Sequence, residues 1–175
     1  GRIDYPFTND YMFRAILQKD KQVLKALIAA LLHLKKESIH DVAITNPIEL
    51  GAAISDKDFI LDIRVNLNNE QLIDLEMQMS NEYNWSERSI SYAARSFDQL
   101  NSGEEYKEVL PVHSIGFLNF TLFEDQPEFF ATYELRNKKT GHLYSSKFSI
   151  HVLDLTRIDL ATAEDQNYEI DRWAK

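Results

Sequence analysis

Apolar positions recur along the chain with two periods. Near the start, Met12, Phe13, Ile16 and Leu17 share one face of a helix that opens after Thr8, a suitable N-cap. After QKDK a second helical pattern runs through Val23, Leu24, Leu27, Ile28, Leu31 and Leu32. Residues 41–49 (DVAITNPIE) predict extended chain, because Pro47 disfavours helix just before it. The stretch LDIRVNLNNEQLIDLEMQ, Leu61 to Gln78, alternates with period two on both sides of an asparagine-rich turn, so a hairpin is expected over about Phe59 to Met79. A third helix is expected over Tyr83 to Asn101, with Ile90, Ala93, Ala94 and Phe97 facing inward and Gly103 as its stop. VHSIGFLNFTLF, Val112 to Phe123, has the apolar content of a strand buried on both faces. Strands near Phe129–Arg136 and Leu143–Leu153 flank NKKTG as a second hairpin, and the chain from Thr156 onward reads as helical. Helices ahead of the sheet, and one between a hairpin and a buried strand, indicate a three-layer α/β domain. Its mixed central sheet would be flanked by helices.

Parity sets the register of the first hairpin. In its first strand Phe59, Leu61, Ile63, Val65 and Leu67 form one face, leaving Ile60, Asp62, Arg64 and Asn66 on the other. In its second, Ile73, Leu75, Met77 and Met79 oppose Leu72, Asp74, Glu76 and Gln78. Both apolar sets fall on one side when Asn68, Asn69 and Glu70 close the turn. Leu67 then faces Gln71, Arg64 faces Asp74, and Asp62 faces Glu76. The Arg64–Asp74 pair is favourable, worth ~0.2–1 kcal/mol. The Asp62–Glu76 pair is not: opposed Cβ atoms lie roughly 4.5–5.5 Å apart, and like charges there destabilise. A different register, a protonated carboxyl, splaying into water, or a cation between the two acids would each resolve it. Two hard oxygen donors, with a backbone carbonyl and waters, suit Mg²⁺ or Mn²⁺. Gln78, next along the same face, is placed to orient a water.

Composition changes this picture in two ways. The 175 residues, 44% hydrophobic and 27% charged, suit one domain with a real core. We expect residues 1–175 to form that single domain, cut from a longer chain at the C-terminal end, where RWAK carries no stop signal. Cysteine is absent, which removes disulfides and thiolate zinc sites. No basic-then-apolar leader opens the chain, and the longest apolar run, ALIAALLHL, is far short of the ~20 residues of a membrane span. A cytoplasmic protein without a membrane partner is therefore expected. The net charge of −9 runs against phosphate binding unless positive charge is concentrated somewhere. Arg88, Tyr92, Arg95 and Gln99 recur at i, i+4, i+7 and i+11, one face of the third helix. That face either meets phosphates or is a solvated polar surface. The five histidines have no metal-ligand spacing, and His113 and His151 read as satisfied structural residues in apolar strands.

An Asp on one strand followed by Glu-x-Gln on the next resembles the PD-(D/E)XK nuclease motif, with Gln78 in place of the lysine. Adding NDYMFRAIL, KDFILDIRV, LIDLEMQ and ERSISYAARSFDQLNSGEEYKEVLPVHSIGFLNF, the chain resembles the Rpn-type branch of recombination-promoting nucleases and transposases over about Asn9 to Phe123. The resemblance implies a restriction-endonuclease-like core and a DNA endonuclease that depends on Mg²⁺ or Mn²⁺. It implies Asp62 and Glu76 as catalytic metal ligands, the Met77 carbonyl as a third ligand, and Asp10 as an acid completing the site. A first-turn acid stabilising the helix dipole explains Asp10 equally well. The departure at Gln78 matters, because Gln positions water but supplies no charge. Lys57, between Asp56 and Asp58, is either a relocated cation or part of a solvated loop pair.

The leading expectation is metal-assisted phosphodiester hydrolysis, linked to recombination or transposition, with Gln78 orienting water and Arg88 or Arg95 clamping the backbone. DNA is the expected partner, and a homodimer would supply the two sites a double-strand cutter needs. The second reading is a catalytically decayed nucleic-acid-binding or assembly module of the same fold. A third is a retaining glycosidase, whose paired carboxyls stand about 5–5.5 Å apart.

Overall fold

The computed structural model describes residues 10–47 and 62–175. Thr8, Lys57 and residues 59–61 of the first hairpin lie outside them. Two helices come first, α1 (Asp10–Lys19) and α2 (Lys21–Leu31). Asp20 between them caps α2, its carboxylate accepting from the amides of Gln22 at 2.9 Å and Val23 at 3.2 Å. The helix ends where His33 turns left-handed at φ 54°, and the Leu34 amide reaches back to the Ala29 carbonyl.

The strands β1 (Val42–Ile44), β2 (Asp62–Leu67), β3 (Gln71–Gln78), β4 (Val112–Leu118), β5 (Phe130–Glu134) and β6 (Phe148–Asp154) form one six-stranded sheet in the order β1-β2-β3-β4-β6-β5. Strands β3, β4 and β6 run parallel and the other pairings are antiparallel, so the sheet is mixed as expected. The register of the first hairpin is the one parity requires: Leu67 opposes Gln71, Arg64 opposes Asp74, and Asp62 opposes Glu76. Its turn explains the asparagines. Asn68 and Asn69 both sit at φ 55°, a conformation Asn tolerates better than most residues. The Asn68 side-chain Oδ1 also accepts from the amides of His40 and Asp41, tying the turn to the chain before β1.

One sheet face carries Ile63, Val65, Leu67, Ile73, Leu75, Met77, Ile115, Phe117 and Leu153 against the apolar sides of α1 and α2. The other face takes a third helix, α3 (Trp85–Phe97), which is where expectation and structure differ. Its buried residues are Trp85, Ser89 and Ala93; Ile90 is 54% exposed and Ala94 is also exposed. Trp85 decides the rotation, since a buried indole removes far more area from water than an isoleucine. The indole lies over Gly116 of β4, where an added Cβ would come within 2.2 Å of its ring. Phe97 is half-buried and meets Phe148 edge-on at 5.9 Å. The helix stops there, short of Asn101, and Gly103 belongs to a later turn. Beyond the helix both amide atoms of Gln99 are taken by the Leu110 backbone, at 3.0 and 2.9 Å.

Two smaller differences have local causes. Strand β4 ends at Leu118 rather than Phe123, and Thr121 then donates to the buried Asp154 at 2.7 Å. The tail is three short helical pieces, Ile158–Leu160, α4 (Ala163–Asn167) and Ile170–Ala174. A Thr162–Asp165 capping box restarts the helix and Glu169, left-handed at φ 61°, breaks it. Among the described residues no helix is long and apolar enough to cross a membrane.

His113 and His151 are satisfied structural residues, linked by one hydrogen-bonded chain. The Gln71 side-chain Oε1 can only accept, so His113 Nε2 donates to it at 2.7 Å. Ser149 then donates to His113 Nδ1 at 2.6 Å and accepts from His151 Nε2 at 2.9 Å, while Thr132 donates to His151 Nδ1 at 3.0 Å. Both rings are neutral in this chain. Burial pushes the pKa of His151 down to about 3, with His113 adding to the effect, and lowers that of His113 too. An unfolded histidine takes up a proton below about pH 6.5, whereas folded His151 resists it down to about 3. Its contribution to stability is thus complete above the unfolded value and lost as pH falls through that window.

Two outcomes follow. His151→Gln keeps a donor and an acceptor but cannot titrate, so the wild type should lose about 2 kcal/mol more than the variant between pH 7.5 and 5 in urea denaturation. Equal pH slopes would contradict the buried-neutral assignment. Gly116→Ala should cost about 1–3 kcal/mol by forcing Trp85 from its seat; a variant as stable as the wild type would show that the helix does not depend on that contact.

Candidate active site

The polar face of the sheet under α3 gathers Asp62 and Arg64 from β2, Asp74, Glu76 and Gln78 from β3, and Ser114 from β4. Asp62 and Glu76 are neighbours on that face and neither splays into water: Asp62 is 3% exposed and Glu76 6%. Asp74 and Gln78 are buried beside them. Three carboxyls and an amide thus share a dry patch, where charge is costly unless something positive answers it.

Arginines from three elements answer it. Arg64 does not take the expected partner Asp74; its Nε donates to Asp62 Oδ2 at 3.0 Å, reaching back along its own strand. Burial, then Asp62 and Glu76, lift the pKa of Asp74 to about 7. Arg88, on the face of α3 turned toward the sheet, donates from Nε to Glu76 Oε1 at 2.7 Å. Burial still holds the Glu76 carboxyl above its ordinary pKa, with Arg88 pulling the other way. Buried Arg14 of α1 donates to the backbone carbonyls of Asp62 and Asn46. Asn46 itself donates to the Asp62 carbonyl at 3.0 Å and accepts from the Arg64 amide at 2.8 Å. These bonds fix where β2 presents Asp62.

The patch also carries oxygen atoms that a divalent ion could use. Asp62 Oδ1, Asp74 Oδ1 and Gln78 Oε1 are buried oxygens with no hydrogen-bond donor. Oxygen atoms with open lone pairs on one face are what a hard cation needs. Among the described residues no three His, Asp or Glu side chains converge into a complete metal cluster. An ion here would have to be held by two carboxylates, with backbone carbonyl and water completing its shell, an arrangement that suits Mg²⁺. Met77 points its side chain into the apolar core, leaving only its carbonyl as a donor. Asp10 is the first residue of α1.

The stripe on α3 is only partly as expected. Tyr92 lies between two guanidinium groups, Arg88 at 5.4 Å and Arg95 at 5.8 Å from the ring centre. Gln99 departs from it, since it lies past the end of the helix with its amide committed to Leu110. The expectations from sequence left out Arg14 and the Trp85–Gly116 contact, and named Asp74 only as the partner of Arg64. Arg14, inside the apolar stripe of NDYMFRAIL between Phe13 and Leu17, was a legible signal.

Comparison with known proteins agrees with this geometry. The family model of the PD-(D/E)XK nuclease family transposases matches residues 7–175. No curated protein and no solved structure matches. An Asp and a Glu-x-Gln facing each other across a hairpin, in a mixed sheet flanked by helices, are thus found in a chain matched almost end to end. The chain belongs to the PD-(D/E)XK nuclease family transposases.

Proposed function

We propose that this domain hydrolyses phosphodiester bonds in DNA with a divalent metal ion, Mg²⁺ or Mn²⁺, held by Asp62 and Glu76. One observation carries the reading: two carboxylates that repel each other are buried side by side on one face of the sheet, and one of them keeps an oxygen without a donor. Nucleases of this superfamily generally use divalent metals, and the oxygen-only donor set suits them. The Met77 carbonyl and Asp10 complete the proposed ligand set, Asp10 on the strength of the family resemblance alone.

When bound, such an ion lowers the pKa of a coordinated water and offsets charge on the phosphoryl group. The chain's own residues supply the rest. Gln78 Oε1, buried and without a donor, accepts a hydrogen bond from the attacking water and turns its lone pair toward phosphorus. As the water oxygen bonds to phosphorus it gives up a proton to solvent, the phosphorus–oxygen bond to the leaving sugar breaks, and the leaving oxygen takes up a proton from solvent. Arg95 and Arg88, on either side of Tyr92, bind phosphates of the DNA backbone. Arg95 offers positive charge to DNA on a chain of net charge −9, and Arg88 does so once it leaves Glu76. A homodimer would place two such sites on the two strands.

The second reading, a decayed DNA-binding or assembly module, is favoured by the neutral Gln78 at the lysine position. Membership of a nuclease family sets the glycosidase reading aside. Asp62→Asn and Glu76→Gln should each lower Mg²⁺-dependent nicking of supercoiled plasmid by about 100-fold or more, because each removes several kcal/mol of metal-derived transition-state stabilisation. Melting temperatures would verify that the fold survives. Cleavage at wild-type rates by either variant would contradict the assignment.

A further inference from the structure

Gln78 leaves the acidic patch without the cation the motif usually provides, and the chain brings one from elsewhere. Arg88 extends from α3 across the sheet face and places its Nε on Glu76 Oε1 at 2.7 Å. Its side chain is 34% exposed while the Glu76 side chain is 7% exposed, so one end of the pair is dry and the other reaches water. The Arg88 guanidinium also lies over the Tyr92 ring at 5.4 Å, and Arg95 lies over the same ring at 5.8 Å. Arg88 therefore stands between a buried carboxylate and the surface where phosphates would lie.

We propose that Arg88 is a displaceable counter-ion of Glu76: a divalent metal and the Arg88 guanidinium compete for the same carboxylate, and the freed arginine moves outward to a DNA phosphate. The inference rests on the reading of Asp62 and Glu76 as a metal site. The competition is electrostatic and steric at once. The guanidinium occupies a carboxylate lone pair that an ion would need, and its positive charge repels a second cation there. Removing it in the absence of metal would leave Glu76 buried beside Asp62 with no partner of its own, which explains the tight pairing. Once metal takes that role, the guanidinium is available for bidentate contact with phosphate. Metal binding and DNA binding thus support each other through one side chain, and thermodynamic linkage makes the support reciprocal.

The test reads metal affinity without DNA and without turnover. Mn²⁺ is titrated into wild type, Arg88→Gln, Arg88→Lys and Glu76→Gln proteins, and free ion is followed by its electron paramagnetic resonance signal. Arg88→Gln should bind Mn²⁺ about tenfold more tightly than wild type, an ordinary size for coupling between two ligands. Arg88→Lys, which keeps the charge, should stay near wild type, and Glu76→Gln should lose the site. A merely structural Arg88 would give the opposite sign, with weaker binding as the site loosens. A duplex made uncleavable by phosphorothioate linkages provides a second measurement on the wild type, so that the test does not hang on how the variants fold. The duplex should tighten Mn²⁺ binding to the wild type. Equal or weaker binding by folded Arg88→Gln, or a duplex that leaves wild-type affinity unchanged, overturns the competition while the metal site stands. Failure of wild type and Arg88→Gln alike to bind Mn²⁺ at millimolar concentration overturns the metal site and this inference together.

Discussion

Repulsion between two buried carboxylates organises this molecule's polar face. Register fixes Asp62 opposite Glu76, and a slip of one residue would drive the whole apolar set of β2 out of the core. The chain cannot relieve the repulsion by sliding, and burial prevents relief by solvation. It responds with charge: Arg64 on Asp62, Arg88 on Glu76, and Arg14 holding the Asp62 backbone in place. Arginine suits this work because its guanidinium stays charged when partly buried and donates in several directions.

The opposition also explains how the layers are docked. Helix α3 must lie close enough for Arg88 to reach Glu76, so the sheet beneath its start has no side chain at Gly116 and the Trp85 ring fills the space. Small Ser89 and Ala93 continue the contact, while Ile90 is left outside. On the other face, α1 packs Phe13 and Leu17 into the core and sends Arg14 to the start of β2. The strand that carries Asp62 is thus held at its backbone by one helix layer, and the strand that carries Glu76 is held at its carboxylate by the other.

Much of this was legible in the sequence, and the reason is periodicity. Two strands of alternating pattern joined by Asn68-Asn69-Glu70 allow one parity, and the observed register follows from it. The mixed, helix-flanked sheet follows from the order of helical and extended patterns. What periodicity could not settle is which residue dominates when several compete. Trp85 outranked Ile90 in turning α3, because Gly116, distant in sequence, offered a seat for the ring. Arg64 reaches back along its own strand to the buried Asp62 instead of across to Asp74, a choice between two carboxylates that spacing alone leaves open. Gln99 left the helical stripe because the backbone of Leu110 offered it two hydrogen bonds. Each depends on a long-range neighbour or on burial, and neither is written in local spacing.

On the proposed reading, Asp62 and Glu76 are buried together to hold a divalent ion. Diffraction from crystals soaked in Mn²⁺, recorded near the manganese edge, tests it most directly. An anomalous peak is expected between the two carboxylates, within ligand distance of both, with the Arg88 side chain withdrawn from Glu76. An empty anomalous map at that position, with Arg88 still seated on Glu76 in saturating Mn²⁺, would contradict it.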